Sequence, residues 1–217
     1  MKREALVIKV CGMREASNIR DVEVLGIDWI GLIFWPKSSR YVSERPDYLP
    51  RNAKRVGVFV DEAPEKIVNI SRLYGLDYIQ LHGHESISDI NRLRQIIVNQ
   101  GTSTIPPQLI KAFSIATASD LEQTKTYEGH VDYFLFDTKG ASVGGNGVQF
   151  DWEVLTAYQG RTPFLLSGGI GPEDAERIRA FHHPRCIGID LNSRFEIAPG
   201  LKDSHRLKSF LEQFIKK

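Results

Sequence analysis

Eight short runs of β-branched and apolar residues, alternating with amphipathic stretches, constrain this 217-residue chain more than any other feature. The apolar runs fall at residues 6–10, 29–34, 55–60, 78–81, 109–113, 133–136, 164–166 and 187–191. Helical patterns occupy 15–25, 64–74, 87–98, 118–127, 152–158, 172–181 and 204–215, with a weaker one at 45–49. Strands that alternate with helices must run parallel, because a crossover helix returns the chain to the same edge. Eight such units in this length fit one closed (β/α)₈ barrel, an α/β fold of the TIM-barrel type. On pattern alone the alternative is an open, doubly wound sheet. No low-complexity block, repeat or long linker divides the chain, so a single domain over residues 1–217 is expected. The polar, proline-ending stretch 99–107 joins a helix to the next strand, which in a barrel puts it on the face away from the chemistry.

Composition narrows the class further. Hydrophobic residues make up 41% and charged residues 25%, the balance of a globular chain with material for a sizeable core. Net charge is +1, and Lys and Arg are scattered among Asp and Glu rather than gathered in a basic patch. No nucleic-acid partner is expected from that distribution. The apolar run after Met1-Lys2-Arg3-Glu4-Ala5 is too short for a secretory signal, and no run approaches the roughly 20 residues that span a bilayer. With only two cysteines, Cys11 and Cys186, a reducing cytoplasm is the expected home. The two sit near opposite ends of neighbouring strands, roughly 13 Å apart at about 3.3 Å per residue. A disulfide needs Cα atoms within about 7 Å, so no bridge is expected, and Cys186 reads as core.

In barrels the chemistry collects where strands end. Strand one ends in Cys11-Gly12, and strand two leads to Ser39-Arg40-Tyr41. Strand four ends in Gln80-Leu81-His82-Gly83, and strand six in Asp137-Thr138, followed by Gly144-Gly145-Asn146-Gly147. Strand seven ends in Ser167-Gly168-Gly169 and strand eight in Asp190-Leu191-Asn192-Ser193. A lone Gly-Gly is a tight turn, but glycine loops after strands six and seven, with Asn192-Ser193 after strand eight, point to phosphate binding.

Cys11 reads either as a small apolar filler or as a general base. It shares strand parity with Lys9, whose ammonium would favour the thiolate. Asp137 closes a strongly apolar strand and reads as a general acid/base or as a helix N-cap; partial desolvation there would suit proton donation. Gln80 and His82 alternate and should face one side. His82 and His84 raise a metal reading, with Asp137 and Asp190 as possible completing ligands, but a catalytic metal needs three placed ligands and none is expected. Lys9 and Asp190 lie on adjacent strands and are expected to pair inside the barrel.

These residues together resemble the phosphoribosylanthranilate isomerase family of tryptophan biosynthesis. The matching segments are Lys9-Val10-Cys11-Gly12-Met13, Gly31-Leu32-Ile33-Phe34, Ser39-Arg40-Tyr41-Val42, Val56-Gly57-Val58-Phe59-Val60 and Gln80-Leu81-His82-Gly83. They continue with Phe136-Asp137-Thr138, Gly144-Gly145-Asn146-Gly147, Phe150-Asp151-Trp152, Leu166-Ser167-Gly168-Gly169, Gly188-Ile189-Asp190, Glu196, Pro199-Gly200 and Lys202-Asp203. The match runs nearly the whole chain in order. It implies an Amadori rearrangement of N-(5-phosphoribosyl)anthranilate, with Asp137 as general acid and Cys11 as general base. It also implies that Arg40 holds the anthranilate carboxylate, that Gln80, His82 and Asp190 contact substrate, and that Gly168, Gly169, Asn192 and Ser193 bind phosphate. No cofactor is expected.

The chain departs from the family where Asn192-Ser193-Arg194 replaces a frequent Ser-Ser-Gly, and Arg194 could supply charge where the glycine is lost. Met13-Arg14 stands where a Thr often follows the Cys-Gly pair. Two alternatives remain at this level. One is another phosphosugar isomerase or epimerase of the barrel superfamily, in which an Asp base or a metal site would replace Cys11. The other is a non-catalytic barrel that binds phosphorylated metabolites and regulates a partner. Monomer and homodimer are both open.

Overall fold

The computed structural model describes residues 6–99, 105–138 and 152–215. The segment Gly144-Gly145-Asn146-Gly147 lies outside the described residues, as do Phe150 and Asp151. Strands β1 (Val7–Val10), β2 (Trp29–Ile33), β3 (Lys54–Phe59), β4 (Tyr78–Leu81), β5 (Gln108–Ile115), β6 (Tyr133–Thr138), β7 (Phe164–Ser167) and β8 (Cys186–Leu191) close into one parallel barrel in sequence order. The sequence runs match these strands to within about two residues. β1 seals the barrel against β8, pairing Val7 with Gly188 and Lys9 with Asp190.

Strand parity builds two cores. Trp29, Val56, Ile110, Ala112, Leu135 and Leu165 form one buried cluster. The residues between them, such as Ile30, Leu109, Phe134, Phe136 and Leu166, belong to a second cluster that includes helix residues Ile19, Ile67, Ile90, Leu207 and Phe210. The first cluster fills the barrel and the second lies between barrel and helices, the arrangement expected of strands buried on both faces. At the floor of the barrel, where the strands begin, Trp29 stacks on Tyr78 with ring centroids 4.1 Å apart. Tyr133 meets Trp29 edge-on at 5.7 Å and plugs the same end. Burial pushes the Tyr78 hydroxyl up to about 12.

The α-helices are α1 (Ala16–Glu23), α2 (Pro64–Tyr74), α3 (Ile87–Asn99), α4 (Ala175–Ala180) and α5 (Ser204–Ile215). Three of the sequence expectations change character. Ala118–Tyr127 and Trp152–Ala157 are 3₁₀ helices. Their buried residues, Leu121 and Thr124 in one and Trp152 and Leu155 in the other, repeat every third position, which suits three residues per turn. The Thr124 hydroxyl, donating to the Leu121 carbonyl at 2.6 Å, reinforces that tighter turn. The pattern at 172–181 splits into a 3₁₀ turn, Pro172–Asp174, and α4.

Residues 45–49 are irregular and not helical. Pro46 within the segment and Pro50 just after it disfavour helical backbone at Arg45 and Leu49. The Glu23 carboxylate from α1 then accepts the N–H groups of Arg51 and Asn52, both at 2.7 Å, and of Ala53 at 2.9 Å.

Residues 105–107 border the start of β5, on the floor side, as the barrel reading requires for the later part of the 99–107 stretch. After β8 comes a 3₁₀ turn, Ser193–Phe195, and a small antiparallel pair, β9 (Glu196–Ala198) and β10 (Leu201–Lys202), packs over the rim. Among the described residues, no helix is long and apolar enough to cross a membrane.

Candidate active site at the barrel mouth

At the opposite end, where the strands finish, a cavity of about 200 Å³ opens. Its lining includes Cys11 from β1, Gln80 and His82 from β4, and Asp137 from β6. Ser167, Gly168 and Gly169 follow from β7, and Asp190, Asn192 and Ser193 from β8. Every site residue expected from the sequence borders this cavity except Arg40. The strands converge there because inward parity, which places Leu135 in the barrel core, carries Asp137 to the mouth.

The Lys9 ammonium lies 2.8 Å from Asp190 Oδ1, and both side chains are buried, at 0% and 7% exposure. The pair is set by register, since Lys9 and Asp190 are direct partners across the β1–β8 seam. Ser167 Oγ donates to the other carboxylate oxygen at 3.3 Å. Beside this pair, burial pushes the Cys11 thiol up, and the pull of Lys9 and Lys202 toward the thiolate does not overcome it. The expected help from Lys9 is present, and desolvation is the larger effect.

Gln80 Nε2 lies 2.9 Å from His82 Nδ1. With the amide as donor, a neutral His82 carries its hydrogen on Nε2. That nitrogen is 3.8 Å from Asp137 Oδ2. Among the described residues the buried Gln80 Oε1 has no hydrogen-bond partner. His84, the other half of the metal reading, parts from His82. It is 98% exposed and lies against Asp61. Among the described residues no group of three His, Cys, Asp or Glu side chains is arranged to hold a metal. The loop carrying His82 is pinned from below by buried Lys111, which donates to the Gly83 carbonyl at 2.8 Å and reaches Glu85 at 3.1 Å.

On the other side of the cavity Gly168 and Gly169 adopt φ of 98° and 63°, left-handed conformations that bring backbone to the lining without a Cβ. Arg194 also borders the cavity and pairs with Glu173, tying the loop after β8 to the loop after β7. Cys186 is partly buried against the outer core, with its sulfur 3.6 Å from the Gly188 carbonyl.

Arg40 stands at the rim behind Gly12. A Cβ on Gly12 would come within 2.6 Å of Arg40 Cδ and 2.9 Å of Asn192 Oδ1, and φ there is 77°. Arg40 Nε and Nη2 donate to Glu196 at 2.8 and 2.6 Å. Glu196 Oε1 also accepts from Lys202 Nζ at 2.6 Å and from Gly200 N at 3.1 Å. Lys202, fully buried, reaches on to Asn192 Oδ1 at 2.8 Å. Burial alone would raise the Glu196 carboxyl, but the hydrogen bonds from Arg40 and Lys202 outweigh it and hold it at about 2. Sequence reasoning matched Glu196 and Lys202 to a motif and gave them no role. Only the folding of β9 and β10 over the rim brings them to Arg40.

The closed barrel and the polar mouth above its apolar floor define the class: a (β/α)₈ barrel with a polar cavity at the strand ends, where enzymes of this fold carry their sites. Residues 8–213 match the sequence model of N-(5'-phosphoribosyl)anthranilate (PRA) isomerase. The chain is 53% identical to the N-(5'-phosphoribosyl)anthranilate isomerase of Parabacteroides distasonis, over 97% of this chain and 94% of that relative. The solved phosphoribosyl anthranilate isomerase of Thermotoga maritima superposes with a TM-score of 0.78 at 32% identity, covering 97% of this chain and 98% of that one. A phosphoribosyl anthranilate isomerase solved in complex with reduced 1-(o-carboxyphenylamino)-1-deoxyribulose 5-phosphate superposes at 0.75 with 30% identity and the same coverage. The chain belongs to the N-(5'-phosphoribosyl)anthranilate isomerase family and is an isomerase of tryptophan biosynthesis.

Proposed function

We propose that this chain converts N-(5'-phosphoribosyl)anthranilate to 1-(2-carboxyphenylamino)-1-deoxyribulose 5-phosphate, with Asp137 as general acid and Cys11 as general base. The single observation that carries this reading is that both side chains border one cavity of about 200 Å³. Asp137 protonates the furanose ring oxygen, and the C1–O bond breaks to leave an iminium at C1. Cys11, as thiolate, removes the proton from C2, and the electron pair moves to neutralise the iminium as an enolamine. The enol hydroxyl then loses its proton as C1 gains one, giving the ketone. Substrate and product are isomers, so the balance calls on no external electron or group carrier.

Lys9, held by Asp190, supplies the positive charge that the buried thiolate needs. The orphaned Gln80 Oε1 accepts from a sugar hydroxyl, which relieves the roughly 1–3 kcal/mol cost of an unmet buried acceptor. His82 and Asp190 complete the contacts to the sugar. Gly168, Gly169, Asn192 and Ser193 hold the phosphate, and Arg40 receives the anthranilate carboxylate. The single barrel is the catalytic unit, working in the cytoplasm without nucleic acid or membrane. All the groups named come from one chain, so monomer and homodimer serve the mechanism equally.

A fluorescence assay of anthranilate-sugar turnover tests the assignment. Cys11→Ala and Asp137→Asn should each lower kcat by about 10²–10⁴ with the circular dichroism spectrum intact. Near-normal turnover in either variant would remove that residue from the mechanism. Because burial pushes the Cys11 thiol up, wild-type kcat/KM should still be climbing as pH rises above the ordinary thiol range. Whatever turnover Lys9→Met retains should show that limb at still higher pH.

A further inference from the structure

The rim network contains a buried carboxylate that the mechanism does not use. Glu196 is 6% exposed and grips the Nε/Nη2 edge of Arg40 through two hydrogen bonds. A guanidinium has five N–H donors in a fixed plane, so this grip sets the direction of those that remain. Glu196 is itself fixed from the other side by Lys202, whose backbone is locked to Asn18 by two 2.8 Å bonds. Lys202 also holds the side chain of Asn192, a residue of the cavity wall. An isolated arginine on a rim would lose rotamer freedom on meeting a ligand, and this one has lost it in advance.

We infer that Glu196 is a positioning residue for substrate recognition: it turns the free edge of Arg40 toward the substrate's carboxylate, braced by Lys202. This rests on the reading of Arg40 as the holder of that carboxylate. Glu196 touches no reacting atom in this scheme, so its effect should fall on KM.

Glu196→Gln keeps the shape and removes the charge. It should raise KM for the anthranilate sugar about tenfold or more, the loss expected when charge-assisted hydrogen bonds weaken, with a much smaller fall in kcat. Competitive inhibition by inorganic phosphate, held by Gly168, Gly169, Asn192 and Ser193, should keep its inhibition constant, because Lys202 still holds Asn192. Glu196→Asp, which restores the charge on a shorter arm, should fall between wild type and Glu196→Gln. In an Arg40→Ala background, Glu196→Gln should add nothing further. If the two substitutions multiply as independent effects, or if phosphate inhibition weakens in parallel with KM, Glu196 is not acting through Arg40 and the inference fails alone. If Arg40→Ala leaves KM unchanged, the carboxylate reading of Arg40 fails and the inference falls with it.

Discussion

The two ends of this barrel are built from the same strands and differ in almost every physical respect. The floor is closed by Trp29, Tyr78 and Tyr133, whose rings pack within 6.0 Å of one another. The mouth buries Lys9 against Asp190 and Lys202 against Glu196, leaving Cys11 among them. The larger empty space is not at the mouth. A cleft of about 470 Å³ lies on the floor side, lined by Lys54, Asp77 and Pro106, against about 200 Å³ at the mouth. The Lys54–Asp77 pair in that cleft is solvent-exposed, so its charges are screened and contribute little. At the mouth, ion pairs buried beside the cavity distinguish the candidate site from the larger cleft. The floor packs aromatic rings across the barrel, and the mouth sets buried ion pairs beside partly exposed His82 and Asp137.

The sharpest way to break this comparison is to damage each end equally. Trp29→Ala and Lys9→Met should each cost about 3–5 kcal/mol, the first by leaving a cavity and the second by stranding a buried carboxylate. Urea unfolding measures both. They should part on turnover, with kcat retained in folded Trp29→Ala and lost in Lys9→Met. A floor variant that folds yet loses kcat would show that the ends are coupled. Gly12→Ala comes next: strained backbone at φ of 77° and the clash with Arg40 should cost about 1–3 kcal/mol and raise KM.

The smallest effects are in pH. Glu196, held at about 2, contributes stability that is present above the ordinary carboxylate range and lost as pH falls toward that value. Glu196→Gln should flatten the acid limb of the stability curve. Tyr78, pushed up to about 12, behaves oppositely. Its contribution is complete below the ordinary phenol value and is lost as pH rises toward 12. Tyr78→Phe should flatten the alkaline limb instead. Thermal melts across pH that show neither change would remove both assignments.

The barrel was legible in the sequence because alternation of apolar strands and amphipathic helices is a local property, and parallel strands admit few closures. The pairing of Lys9 with Asp190 was legible too, since strand order and parity set it. Helix type was harder to read. Leu121 and Thr124, like Trp152 and Leu155, lie three residues apart, a spacing that also occurs on an α-helix. At residues 45–49 a distant carboxylate, Glu23, satisfies backbone donors just beyond the segment.

The sequence by itself determined the strands, their inward faces and the set of polar residues delivered to one end, because period and chain order carry that information. Three things were left to the tertiary structure. It decided that burial outweighs the pull of Lys9 on the Cys11 thiol. It placed Arg40 at the rim in the grip of Glu196. It brought Lys202 to Asn192 from ten positions further along the chain. Each of these depends on how much water is excluded and on which side chains meet after the chain has closed, and neither quantity exists along a strand read alone.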